Sequence, residues 1–395
     1  MLLAQQLFHI RTDKLARGGL DMAGYIFTLD SLDSLKSCIK KGCYSTNLSA
    51  PKNGLWMIHH EGTFADYCGM KPGDSVYFFI DRMIYGRGEM VDIEGDCKYM
   101  NYPRALWPSF PEFKNIKDEM LLDDESNLCN RCVCFFKPSP GFFENGIDMD
   151  DMLASNPQKI RMLRTLWKLS FIKVDEEEDQ ALRDAILKRN EASIGSSVDC
   201  FNHDSAFHES LSSKVSSRHS LSVKDVLFSC KDGSKLRHEM AIEVAVMDML
   251  SRCKESIFGR WDYVSHQVAA SPFKPIDYMD KMDVFGYRKI EGFGTISKYL
   301  TIEIKKDAAK KDVINQTMKY VDWINQEYAY GDYSMIEAFI LASDFPEHVV
   351  KYRDEVCARN YMKGRRPAIS ETWTNLKLIK YKYNELTGML DFEQL

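Results

Sequence analysis

The spacing of apolar positions changes several times along this 395-residue chain, and each change marks a different element. Leu32, Leu35 and Ile39 recur at helical spacing behind Asp30 and Ser31, either of which can cap a helix over 31–39. Beyond Pro51 and Gly54, Leu55-Trp56-Met57-Ile58 reads as a short strand. The turn Lys71-Pro72-Gly73-Asp74 leads into a β-branched and aromatic strand over 75–80. Asp81-Arg82 is then a tight reversal into a partner strand over 83–91. Glycines inside that pair favour a curved sheet or small barrel. Val133-Cys134-Phe135-Phe136 reads as a buried strand, and apolar spacing predicts a helix over 162–169. The run Asp175-Glu176-Glu177-Glu178-Asp179 opens a further helix that closes on Lys188 and Arg189, in keeping with the helix dipole.

Between 191 and 225 the pattern lapses. Ser196, Ser197, Ser210, Ser212, Ser213, Ser216 and Ser217, with few aromatics between them, predict an exposed linker. It divides the chain into regions 1–190 and 226–395. In the second region, 236–250 is an amphipathic helix with Glu239 and Glu243 on one face. Strands are expected over 261–268, 283–287 and 297–305, the last two as an antiparallel pair. A helix starting near Asp312 or Asn315 then carries Gln316, Tyr320 and Trp323, and a strand follows over 335–342. The order α-β-β-β-α-β describes a mixed-sheet α/β core within an α+β chain.

Composition adds few exclusions. Hydrophobic content of 45% and charged content of 28% are those of a soluble globular protein, and no apolar run is long enough to span a bilayer. The first residues lack a basic n-region and a clean apolar h-region. The 11 cysteines lack the spacing of a disulfide framework. A cytoplasmic, reduced protein is expected. The formal net charge of −6 counts mildly against nucleic acid. Local basic clusters count the other way: Lys305, Lys306, Lys310 and Lys311, then Lys363, Arg365, Arg366, Lys377, Lys380 and Lys382. Each is equally well a solvated face. Cys129, Cys132 and Cys134 supply two or three zinc ligands without a fourth at an obvious spacing, so this stretch is expected to be core.

The candidate chemistry lies between Asp283 and Tyr320. Strand alternation puts Glu303 and Lys305 on one face, and Asp283 on the neighbouring strand can stand beside Glu303. Two carboxylates and the Ile304 carbonyl form a hard-oxygen site for Mg²⁺, with Mn²⁺ as a second choice. Lys305 can orient a water and stabilise developing negative charge. Glu243 or Glu239 supplies a helix acid, and Gln316 and Tyr320 lie one turn apart. Asp277 and Asp280 are rival positions for the first acid. Over about 235–345 this order of parts resembles the PD-(D/E)xK nuclease superfamily, in its RecB-like and NucS-like branch with a Gln-x-x-x-Tyr helix. The resemblance implies a restriction-endonuclease-like mixed sheet flanked by helices. It also implies metal-binding acids at Asp283 and Glu303 and a catalytic lysine at Lys305. One departure is Met282, which stands where proline often precedes the first acid.

In the first region, Trp56-Met57-Ile58, Gly73-Asp74-Ser75-Val76-Tyr77-Phe78-Phe79 and Ile84-Tyr85-Gly86-Arg87-Gly88-Glu89 resemble the PUA-like superfamily, especially its EVE-type branch, over about 50–175. These are small β-barrels, several of which recognise RNA or modified bases in DNA. Most of the region's aromatics are expected to be core. Trp56 and Trp107, each beside a loop, are the candidates for stacking on a base, with Asp66 as a polar partner. Lys306 and Lys310 are candidate phosphate contacts. Together the resemblances imply a Mg²⁺-dependent DNA endonuclease of the modification-dependent restriction or antiphage-defence kind, acting on DNA with or without modified bases. A homodimer or higher homo-oligomer is expected. The alternatives are a Shedu-like nuclease whose first region regulates, and a non-catalytic nucleic-acid-binding protein with a nuclease fold.

Overall fold

The computed structural model describes residues 23–122, 127–138, 144–161, 171–194, 203–233, 235–252, 255–271 and 279–395. The acidic run at 123–125, the apolar run at 162–169, residues 195–197 and Asp277 lie outside them. The chain is a mixed α+β protein with several sheets, divided into two compact units, Met1–Ser222 and Val223–Leu395. Among the described residues no helix is long and apolar enough to cross a membrane.

In chain order the first unit contains β1 (Gly24–Thr28), α1 (Leu32–Lys41), β2 (Cys43–Ser45), α2 (Ile58–Cys68), β3 (Ser75–Ile80), β4 (Met83–Met90) and β5 (Lys98–Met100). There follow α3 (Phe113–Ile116), β6 (Cys132–Pro138), β7 (Ile147–Asp148), α4 (Met149–Ser155), β8 (Phe171–Val174), α5 (Glu176–Arg189) and α6 (Ala206–Ser212). The strands form one curved sheet in the order β2-β6-β4-β3-β1-β8, with β5 on β6 and β7 on β4. The β1–β3 pair is parallel and its neighbours are antiparallel. Asp81 and Arg82 turn β3 into β4 with φ of 47° and 71°, the left-handed pair that a two-residue hairpin requires. The aromatics of this sheet are core: Phe27 stacks on Tyr44 at 4.3 Å and meets Phe171 edge-on.

Two expectations for this unit are corrected. Residues 55–57 are not a strand; the chain enters α2 at Ile58 instead. A four-residue apolar run does not distinguish a strand from a helix start, and Met57, 56% exposed, has no sheet to cover it. The serine-rich segment is not an exposed linker over its described part. Leu211 of α6 is buried in a cluster with Cys43, Tyr99, Val133 and Phe135, and Phe207 and Val215 pack on the same cluster. Phe207 and Leu211 anchor this short helix, and Val215 just beyond it packs on the same cluster, among serines that disguise them.

The second unit contains α7 (Val223–Cys230), β9 (Lys231–Asp232), β10 (Lys235–Leu236), α8 (Glu239–Arg252), β11 (Tyr263–Ala269), β12 (Lys281–Lys289) and β13 (Ile296–Ile304). It continues with α9 (Lys311–Glu327), β14 (Ile336–Ala342), α10 (Glu347–Val356), β15 (Arg359–Arg365), β16 (Ala368–Trp373), β17 (Leu376–Asn384) and β18 (Met389–Gln394). Six strands form a sheet in the order β11-β12-β13-β14-β17-β18. The first three are antiparallel, β14 runs parallel to both β13 and β17, and β18 closes antiparallel. The expected strands and helices through 342 are all present. The elements beyond were not anticipated, and they place the second basic cluster on the β15–β16 hairpin and β17.

Close approach in this sheet demands glycine at 286. A Cβ there would lie 2.6 Å from the Tyr263 carbonyl oxygen of β11 and 3.1 Å from Val264 Cγ1. Gly286→Ala is expected to destabilise the second unit by about 1–3 kcal/mol, seen as a lower urea midpoint of its transition. An unchanged midpoint would show that β11 yields without cost.

Candidate active site

The β12–β13 ladder pairs Val284 with Ile302 and Phe285 with Thr301, so one residue further on Asp283 comes opposite Glu303. Asp283 Oδ2 accepts a hydrogen bond from the Ile304 backbone N–H at 2.7 Å. Glu303 is completely buried (0% exposed). Lys305, just past the end of β13, brings its ammonium 2.7 Å from Glu303 Oε1 and 3.6 Å from Glu239 Oε2, and donates to the Ile304 carbonyl at 3.0 Å. The Glu303–Lys305 ion pair places the two side chains together, as strand alternation demands. The ammonium acts on this carboxylate by charge and by a side-chain hydrogen bond together.

Helix α8 contributes Glu239 and Glu243. Glu243 is buried, and both its oxygens accept from Gln267 Nε2 at 3.1 Å. The same nitrogen donates to Asp283 Oδ1 at 3.3 Å. His266 Nδ1 lies 3.6 Å from Glu243 Oε2. Glu239, one turn earlier, accepts from the Lys306 backbone N–H at 3.3 Å. Glu243 therefore joins the strand carboxylates through Gln267, while Glu239 joins Lys305. On α9, Gln316 Nε2 donates to Tyr320 Oη at 2.8 Å, so its amide engages the tyrosine instead of Lys305. Asp280 is exposed, three residues before Asp283. Lys306 is tied down, its ammonium donating to the Arg237 carbonyl and its own carbonyl accepting from Tyr381. Lys310 is exposed at the N-terminus of α9. Gln267 was not anticipated; its only sequence signal is a polar pair, His266-Gln267, interrupting an apolar strand.

Charge is out of balance here. Glu303 and Glu239 lie beside the Lys305 ammonium, and Asp283 and Glu243 are joined through the Gln267 amide, so among the described residues four carboxyl groups stand near a single lysine charge. Burial, reinforced by Glu243 and Glu303, raises the Asp283 carboxyl well above its ordinary range. Burial raises Glu303 to about 7 although Lys305 opposes the shift. Burial acts to lower Lys305, but Glu303 and Asp283 outweigh it and hold the lysine firmly protonated. Burial pushes the Tyr320 hydroxyl up to about 12 against its bond to Gln316, with Glu303, Asp283 and Asp280 adding to the rise. Carboxylate and carbonyl oxygens are the hard donors that a divalent cation takes. Asp283, Glu303 and the Ile304 carbonyl are the groups that would hold it.

The candidates in the first unit are not gathered in this way. Trp56 is 2% exposed, donates to the Leu106 carbonyl at 2.7 Å and lies beneath the Arg131 guanidinium at 4.8 Å. Trp107 is half-buried with Arg104 over its ring at 4.9 Å, and Asp66 is half-buried on α2. Cys132 and Cys134 are buried in β6 with their thiols pushed up by burial. Among the described residues no gathering of metal-ligand atoms includes Cys129, Cys132 or Cys134.

The raised Glu303 carboxyl has a thermodynamic consequence. Between about pH 4.5 and 7 the folded chain keeps a proton that the unfolded chain has lost, so stability falls as pH rises through that window. Glu303→Gln is expected to shrink this fall, on the order of 2–3 kcal/mol between pH 5 and pH 8 for the Glu303 carboxyl, while the raised Asp283 carboxyl keeps a part of its own. Thermal unfolding in EDTA at both pH values checks it; parallel pH dependence in both proteins would refute it.

No family model matches the chain, and no curated protein matches it. Among solved structures, it is similar to the crystal structure of a repair endonuclease from Pyrococcus abyssi at 21% identity and a TM-score of 0.21. That match covers 32% of this chain and 46% of the endonuclease, so the chain spans about half its length. It is also similar to protein Atu2648 from Agrobacterium tumefaciens at 14% identity and a TM-score of 0.23, over 41% of this chain and 92% of that one. At these scores neither likeness fixes a fold or an activity.

Proposed function

We propose that the second unit is a Mg²⁺-dependent endonuclease of the PD-(D/E)xK kind, hydrolysing phosphodiester bonds in DNA. The observation that carries this reading is the facing pair of half-buried Asp283 and buried Glu303, with Lys305 at its rim and more carboxyl groups than the lysine can balance. A divalent cation bound there supplies polarisation of a phosphoryl oxygen and acidification of a water. Lys305 stays protonated, so its part is that of a donor: it orients the attacking water and stabilises the charge that develops on phosphorus-bound oxygen. Tyr320, also held protonated, is a second fixed donor beside the carboxylates. Lys310 is free to approach the backbone of the nucleic acid, whereas Lys306 is committed to the Arg237 carbonyl.

For the first unit we propose a PUA-like, EVE-type sensing role, within a restriction or antiphage-defence protein. A second reading is favoured by a specific observation. Trp56 and Trp107 both lie under arginine guanidinium groups, and Trp56 is buried, so neither presents a free ring to a base. This suits a Shedu-like arrangement in which the first unit regulates or positions DNA. Because each chain carries one such centre and a duplex has two strands of opposite polarity, the proposed assembly is a homodimer.

Plasmid cleavage with Mg²⁺ is expected for the intact chain and a fall of about 10²-fold or more in Asp283→Ala and Lys305→Ala. Activity unaffected by either change would sink the assignment, and DNA binding without any cleavage would favour the non-catalytic alternative. Preference for base-modified over unmodified DNA supports the sensing role, and equal cleavage of both supports the regulatory one.

A further inference from the structure

We infer that Gln267 is a positioning residue that limits the centre to a single divalent cation; this rests on the metal-dependent reading above. On β11, His266 pairs with Val284 and Val268 with Met282, so Gln267 stands opposite Asp283. Its backbone is left-handed, with φ of 52°, inside a strand and on a residue that carries a side chain. Such a conformation is unfavourable and persists only where surrounding contacts hold it.

Those contacts are explicit. The carboxamide nitrogen donates to both Glu243 oxygens at 3.1 Å and to Asp283 Oδ1 at 3.3 Å. The nitrogen, not the oxygen, must face these groups, because an amide oxygen would set lone pairs against two carboxylates. One side-chain nitrogen thus lies within 3.3 Å of the helix acid and the strand acid together. Two-metal phosphodiesterase centres hold their ions close together as a clamp on both reacting oxygens. In this chain the position between Glu243 and Asp283, where a second ion would be shared, is filled by a neutral donor. Glu243 is satisfied by hydrogen bonds from Gln267, which leaves Asp283 and Glu303 as the acids for one ion.

Counting Mn²⁺ bound to the full chain, by the loss of the free-ion electron paramagnetic resonance signal, tests this without reference to activity. The wild type is expected to bind one ion per chain. Gln267→Glu, of the same size but with a carboxylate, is expected to bind two. Gln267→Met, of similar length but without a donor, is expected to keep one ion with about tenfold weaker affinity, and it serves if the Glu variant misfolds. Two ions in the wild type would overturn the role of Gln267 and leave the metal reading standing. So would unchanged stoichiometry and affinity in both variants, which would leave Gln267 a structural link only. No binding by the wild type, or equal binding by Asp283→Asn, would overturn the metal reading and this inference with it.

Discussion

The second unit is organised around two carboxyl groups set side by side, one half-buried and one wholly buried. The β12–β13 register sets Asp283 against Glu303, and burial of Glu303 prevents solvent from screening their repulsion. Nearly every polar group around them answers that repulsion with a positive charge or a donor proton. Lys305 supplies the charge, Ile304 a backbone N–H and Gln267 a side-chain amide. Burial raises both carboxyls, and the compensating groups do not offset it. A protein that needed only stability would replace such a cluster with apolar side chains of similar volume.

Buried charge in the first unit is handled differently. The Arg131 guanidinium is fully buried, yet it donates to the carbonyls of Leu48, Ala105 and Trp107 at 2.7–2.8 Å and lies between the rings of Trp56 and Phe110. Here the cation is absorbed by backbone dipoles and ring faces, and it clamps the loop that carries Trp107. The same interaction removes Trp56 from any surface a ligand could reach. One buried cation thereby sets the shape of the region that the aromatic residues had suggested was a pocket.

Strongly periodic segments were legible. Each strand from 261 to 342 and the two helices α8 and α9 follow from apolar spacing, because each has one face that must be covered. Alternation was enough to place Glu303 and Lys305 together. The misread segments share a physical cause. Residues 55–58 are too short for a period to declare itself, and α6 hides two anchoring apolar residues among serines. The elements beyond 342 went unread because their many lysines and arginines look like solvated surface until a neighbouring strand covers the apolar face.

By itself the sequence determined the inventory of the centre and its order along the chain: an acid on one strand, an acid and a lysine two apart on the next, and flanking acids on a helix. Those follow from local periodicity, which needs no knowledge of distant residues. Only the tertiary structure decided the pairing register, the depth at which Glu303 is buried and the left-handed backbone that turns Gln267 toward two carboxylates. These depend on which strands lie side by side and on how much water they exclude. The shifted ionisation of Asp283 and Glu303 depends on the same two quantities, because a charge responds to everything within a few ångströms whatever its place in the chain.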